Sequence, residues 1–181
     1  HWTDDGEAYV FEYGLHSDGS GSTQVTDGLG RRQQWHWNAD HEITRHTDAL
    51  GHTTTQVWGA TKQLLGHTDA LGRSTTYTYD DAGNLTSETD ALGRTHRQRW
   101  SPGPASLLVA TEDPGGGTWR YQYDDHGNLV AETDPLGHVT RYANDDRGLP
   151  VLVTDAHGGR KQLRWDARGL LTAYTDCSGK T

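Results

Sequence analysis

A Thr-Asp-x-Leu-Gly phrase returns along this chain with a nearly fixed period, and no other feature limits its fold as severely. Aspartates mark the copies at Asp27, Asp48, Asp69, Asp90, Asp113, Asp134, Asp155 and Asp176, in steps of 21, 21, 21, 23, 21, 21 and 21 residues. Each has glycine three positions later, at Gly30, Gly51, Gly72, Gly93, Gly116, Gly137, Gly158 and Gly179. Self-similarity at such a period marks a repeat architecture, in which each unit buries its apolar face only against its neighbours. Aspartate at the first position and glycine at the fourth are type I turn preferences, and Pro114 and Pro135 occupy the second, where their fixed φ fits. A left-handed glycine then makes the turn a three-residue hairpin connection with a bulge.

A second corner of the same form falls eleven residues after the first, at Asp80 and Gly83, Asp124 and Gly127, Asp145 and Gly148, and Asp166 and Gly169. Asn38 with His41 and Gly59 with Lys62 are weaker versions. Two corners per 21-residue unit leave about six or seven residues for each strand, a usual strand length. The pattern predicts an all-β chain, a repetitive antiparallel meander of two-strand units with about fifteen strands and no room for a long helix. The tenth position after the anchor carries Trp37, Trp58, Tyr79, Trp100, Tyr123 and Trp165, with Asn144 as the departure, so one face bears an aromatic stripe. Ile43, Leu64, Leu85, Leu129 and Leu171 share a position beside it on the returning strands. The other face, rich in Thr, Arg, Gln and Ser, is too polar for the middle of a thick sandwich. The two surplus residues of the fourth unit fall near 101–106, where Pro102 and Pro104 predict an enlarged loop, and Gly103 within it is expected to tolerate a side chain better than Gly93. Residues 1–25 form a degenerate leading repeat, with Thr3 in place of the anchor and Gly6, Phe11 and Tyr13 in register, ahead of the repeats at 26–181.

The formal charge of −9 and dispersed arginines argue against a nucleic-acid groove. Seven Trp and eight Tyr supply large apolar surfaces, and no apolar run approaches the roughly 18 to 20 residues of a spanning helix. With no Met and no recognisable signal peptide at His1, the chain is expected to be a piece of a longer polypeptide. The lone Cys177 excludes an internal disulfide framework and has no motif of a nucleophile. A His-Thr-Asp triplet occurs at His46 to Asp48 and again at His67 to Asp69. Residues 21 apart in a meander lie two strands, about 10 Å, from each other, too far to share one metal. The anchor carboxylates are likewise strung along a sheet edge, too far apart for paired acid–base work. Asn84 to Thr86 matches a glycosylation acceptor but reads equally as a hairpin shoulder. No enzyme, metal or cofactor is expected, since a hydrolase would need a convergent polar pocket.

The stretches Tyr79 to Leu85, Tyr123 to Leu129 and Trp165 to Leu171 resemble the Tyr-Asp motifs of the Rhs, or YD-repeat, family. The resemblance implies a strip of a β-sheet spiralling into a hollow shell, as in bacterial polymorphic toxins, with relatives in insecticidal toxin complexes and teneurins. It implies a segment that sequesters a C-terminal toxic domain of a secreted or delivered effector, made in the bacterial cytoplasm and with type VI secretion among the routes. Its partners would be the rest of its own polypeptide and secretion-apparatus or chaperone proteins, with no nucleic acid and no membrane insertion by this segment. Some such shells end in a self-cleaving Asp-Pro-x-Gly-Leu landmark. Asp113 to Gly116 and Asp134 to Gly137 match its first four positions only, lie on the repeat anchors and take no catalytic role. The alternative is a cell-surface adhesion or carbohydrate-binding module, in which exposed Trp2, Trp35, Trp37 and Trp119 would stack on sugars.

Overall fold

The structure, a computed structural model, describes residues 8–176. Thr3, Gly6 and Trp2 at one end, and Cys177 and Gly179 at the other, lie outside the described residues. Sixteen strands run as β1 (Val10–Leu15), β2 (Gly21–Thr26), β3 (Arg32–Trp37), β4 (Ile43–Thr47), β5 (Thr53–Trp58), β6 (Leu64–Thr68), β7 (Ser74–Tyr79) and β8 (Leu85–Thr89). They continue as β9 (Thr95–Trp100), β10 (Leu108–Glu112), β11 (Thr118–Tyr123), β12 (Leu129–Thr133), β13 (Val139–Asn144), β14 (Pro150–Thr154), β15 (Arg160–Trp165) and β16 (Leu171–Thr175). All sixteen lie in one open sheet in chain order, an antiparallel meander, and no helix occurs among the described residues. The all-β meander read from the repeat is the observed fold. One strand more than expected arises because β1 and β2 pair through a corner at His16 to Gly19, ahead of the first anchor.

From β3 onward, six-residue strands leave the anchor corners and five-residue strands return. Each return strand for which the register is described also carries a bulge. Val57 pairs with Gly66 and Trp58 with Leu64, so Leu65 is the extra residue. Val109, Val130 and Thr172 hold the same place in β10, β12 and β16. An added residue bends and twists the strand that holds it.

The chain divides into two compact units, His1–Tyr79 with Glu88–Arg94, and Asp80–Ser87 with Thr95–Thr181. In the first, Trp35, His46 and Thr54 stand opposite one another across β3, β4 and β5 on one face. The other face carries hydroxyl pairs, Thr47 with Thr53 at 3.0 Å and Thr68 with Ser74 at 2.8 Å. In the second, Ala110 lies opposite Arg99 on one side and Arg120 on the other, and Ala131 opposite Gln122 and Arg141. Those two alanines are the buried apolar side chains among the described residues, and no large side chain there is fully buried. Long stems covering a small residue are what a sheet offers in place of a second layer.

Candidate functional site

The chemistry of this chain is concentrated at its corners and along the aromatic stripe. At Asp69 the backbone N–H donates to the Arg73 carbonyl at 2.9 Å, and the Gly72 N–H donates to the Asp69 carbonyl at 2.9 Å. Asp69 Oδ1 accepts from the N–H groups of Leu71 and Arg73, both at 2.9 Å, while Oδ2 accepts from Arg73 Nε at 2.6 Å. One carboxylate thus satisfies two turn amides and still holds a side chain four residues on. The same Oδ1 pair of bonds is made by Asp27, Asp48, Asp80, Asp90, Asp113 and Asp124. Asp134, Asp145, Asp155 and Asp166 repeat it. The partner of Oδ2 varies with the fifth residue, being Arg31 and Arg94, His52 and His138, or Asn84 and Asn128. That fifth position is a structural element of the corner that the turn preferences alone do not reveal. The side-chain amides of Asn84 and Asn128, with the turn amides, hold the Asp80 and Asp124 carboxyls below the usual carboxylate range.

Gly30, Gly51, Gly72, Gly93, Gly116, Gly137 and Gly158 sit at φ between 78 and 87°, as do Gly83, Gly127, Gly148 and Gly169 in the second corners. A Cβ at Gly93 would meet nothing within 4 Å, so only backbone conformation demands glycine there. The weaker second corners close in the same way. His41 donates its N–H to the Asn38 carbonyl and Lys62 to the Gly59 carbonyl, and these two residues stand left-handed at φ 67° and 64°. The turn hydrogen bonds and flanking strands override the side-chain penalty. Gly103 departs from expectation: its φ of 100° makes it as dependent on glycine as a corner. The enlarged loop it occupies runs from Ser101 to Leu107, closed by Ser101 N–H to the Leu107 carbonyl at 2.7 Å.

The stripe is a ladder of hydrogen bonds. Trp58 Nε1 donates to the carbonyl of Ile43 at 2.7 Å, Tyr79 Oη to Leu64 at 2.9 Å, Trp100 Nε1 to Leu85 at 2.7 Å, Tyr123 Oη to Leu108 at 2.8 Å and Trp165 Nε1 to Pro150 at 2.8 Å. Asn144 belongs to the same series, its Nδ2 reaching the Leu129 carbonyl at 2.9 Å. Every acceptor lies fifteen residues before its donor, at the start of the preceding return strand. Backbone pairing between successive hairpins stops just short of that point. The β4–β5 register ends at Arg45 with Thr55, and the β10–β11 register at Ala110 with Arg120. A side-chain donor takes over where the backbone donor is missing, which is what a half-buried carbonyl requires. Ile43, Leu64, Leu129 and Leu171 also stand opposite Trp37, Trp58, Tyr123 and Trp165 of their own hairpins. Trp37 packs against Gly21, where an added Cβ would come within 2.6 Å of the indole.

The remaining candidates do not converge. His46 stacks on Trp35 with centroids 4.7 Å apart, and its Nε2 is buried without a partner. No group of three His, Cys, Asp or Glu suited to a metal occurs among the described residues. The proposed sugar-stacking set is corrected: Trp35 and Trp37 are half-buried, and of the set's described members Trp119 alone is exposed, at 38%. Two open clefts are lined, in the second unit by Asp124, Asn128, Tyr142 and Asp145, and in the first by Asp69, Arg73, Asp90 and Leu92.

No curated protein matches this chain. Among solved structures, it is similar to a chain of the Photorhabdus luminescens Tc holotoxin pore carrying a TccC3 mutation, with TM-score 0.63, 15% identity, and coverage of 89% of this chain and 11% of that one. A TcdB2–TccC3 crystal structure gives 0.62 at 13% identity, covering 96% and 12%, and a TcdB2–TccC3–Cdc42 crystal structure gives 0.61 at 15%, covering 92% and 11%. The chain therefore spans about a tenth of the length of the structures it matches, and the likeness is one of fold. Residues 58–95, 104–139 and 123–160 match the RHS repeat, together more than half of the sequence. With its double corner and its 15-residue ladder repeated through those same segments, the chain belongs to the RHS repeat family.

Proposed function

We propose that this chain is a non-catalytic wall segment of a toxin shell, which sequesters a C-terminal toxic domain of its own polypeptide. The observation that carries the reading is the single-layer meander, held by corners and a side-chain ladder and lacking any fully buried large side chain among the described residues. Such a sheet covers area with little volume behind it, which suits an enclosure and not a pocket. The fold shared with TcdB2–TccC3 assemblies supports it. In this reading residues 1–25 are a leading repeat and 26–181 the repeats proper. The partners are the remainder of the polypeptide and secretion-apparatus or chaperone proteins, and the protein is made in the bacterial cytoplasm and then delivered or secreted. Limited proteolysis of the intact polypeptide tests it: the segment following the repeats resists cleavage until the repeats are unfolded. A following segment cut at the same rate before and after unfolding refutes enclosure.

A further inference from the structure

The third residue of the anchor corner is leucine far more often than a turn needs. Leu29, Leu50, Leu71 and Leu92, all in the first unit, are 80, 81, 77 and 78% exposed, and Leu136 in the second is 82% exposed. Nothing in type I turn chemistry asks for an aliphatic side chain at this position. The second corners of the same unit put Asp18, Asp40 and Thr61 there instead. In the first unit one edge of the sheet thus carries an apolar row that the other lacks, with a member every second strand, about 10 Å apart.

We propose that this leucine edge is a docking surface for the anchor edge of a second copy of the same repeat run. Three observations select that occupant. An edge built on the same 21-residue unit has the same two-strand spacing, so its leucines meet or interleave with these along the whole row. Three of the four corners are also close to neutral: Asp27 pairs with Arg31, Asp69 with Arg73 and Asp90 with Arg94, each at 2.6 Å, while Asp48 faces His52. Two such edges approach without the repulsion that a chain of formal charge −9 would otherwise impose. The area is in proportion as well. A leucine side chain buries roughly 60 to 120 Å² at the usual apolar coefficient, which gives a few hundred Å² per edge. That is about the size of the largest apolar patch on a typical monomer, which is often functional, and it falls short of a permanent interface. Association of separate copies is therefore weak and concentration-dependent, and tightens when two runs are tethered. The inference rests on the repeat geometry and stands whether or not the wall encloses a cargo.

Sedimentation velocity over a concentration series tests it on the whole chain. The parent associates, and the combined Leu50→Ser, Leu71→Ser, Leu92→Ser variant weakens that association at least tenfold with an unchanged circular dichroism spectrum and urea midpoint. A Phe11→Lys, Tyr13→Lys variant, which blocks pairing of the exposed strand β1, leaves it intact. In a Cys177→Ser background, Leu71→Cys forms a disulfide-linked dimer faster than Thr61→Cys on the opposite edge. A parent that stays monomeric throughout, association that survives the leucine changes but not the β1 changes, or equal crosslinking at both edges overturns the proposal.

Discussion

Replacing Tyr123 by phenylalanine removes one oxygen and leaves the ring, so it isolates the ladder bond from the packing of the stripe. Tyr123 Oη lies 2.8 Å from the Leu108 carbonyl, at the point where the β10–β11 backbone register has already ended. The lost bond is worth about 0.5 to 1.5 kcal/mol net, and a partly buried carbonyl left without a donor raises the cost toward about 2 kcal/mol. Tyr121 sits two residues away on the same face, half-buried, and donates no hydrogen bond, so Tyr121→Phe should stay within about 0.5 kcal/mol of the parent. With a urea slope of about 2 to 3 kcal/mol per molar for a chain of this size, Tyr123→Phe shifts the unfolding midpoint down by about 0.5 M. Asn144 extends the comparison, since Asn144→Leu should cost about as much and Asn144→Tyr should not. Equal midpoints for the Tyr123 and Tyr121 variants would refute the view that the stripe is selected for donors.

Three further outcomes are expected. Gly93→Ala should destabilise by about 1 kcal/mol in urea titration, the left-handed penalty less the gain from a stiffer unfolded chain, and Gly103→Ala should match it; an unchanged Gly93→Ala midpoint would contradict the corner assignment. Gly59→Asp should stabilise by about 1 kcal/mol, because the new carboxylate can accept from the Thr61 and Gln63 amides while its Cβ meets Leu65 at an ordinary 3.4 Å; a lower midpoint would show that those amides cannot be reached. Burial, then the 2.8 Å bond to Glu132, pushes the Tyr142 phenol up to about 12. The neutral phenol is the form the fold favours, so its contribution is fully present below the unfolded value near 10 and is lost as pH rises from there to about 12. Ultraviolet phenolate titration should show the latest tyrosine step disappear in Tyr142→Phe, with Tyr77 and Tyr123 also raised in both proteins, and a parent curve identical to the variant's, save for one ordinary tyrosine, would dismiss the shift.

The corners were legible because turn chemistry is local: Asp69 and Gly72 need only each other and the three amides beside them. The aromatic stripe was legible as a period but not as a device, because its acceptors lie fifteen residues back and are backbone atoms, which no side-chain pattern displays. The stripe's composition held the clue, since Trp, Tyr and Asn144 share an N–H or O–H donor and no Phe occurs among them. The bulges at Leu65, Val109 and Val130 left no mark in the side-chain pattern, because they are set by backbone register. At His41 and Lys62 sequence preference pointed away from a left-handed corner, and the closing hydrogen bonds outweighed it. The cover over Trp35 is hidden in the sequence for a similar reason, as its ring stacks on His46, a cross-strand neighbour and not a sequence neighbour.

The fifteen-residue reach of the ladder has a consequence for how such a chain can change length. Each bond ties a hairpin to the one before it and to nothing farther away. Removing or duplicating 21 residues therefore returns every donor to an equivalent carbonyl and empties no shared interior. A deletion of any other length would set a ring against the wrong strand. The fourth unit shows where an exception is allowed: its two surplus residues sit in the Ser101 to Leu107 loop, outside the fifteen residues that separate Tyr123 from Leu108 and Trp100 from Leu85. Length variation in this protein is thus quantised along the strands and free only at the second-corner loops.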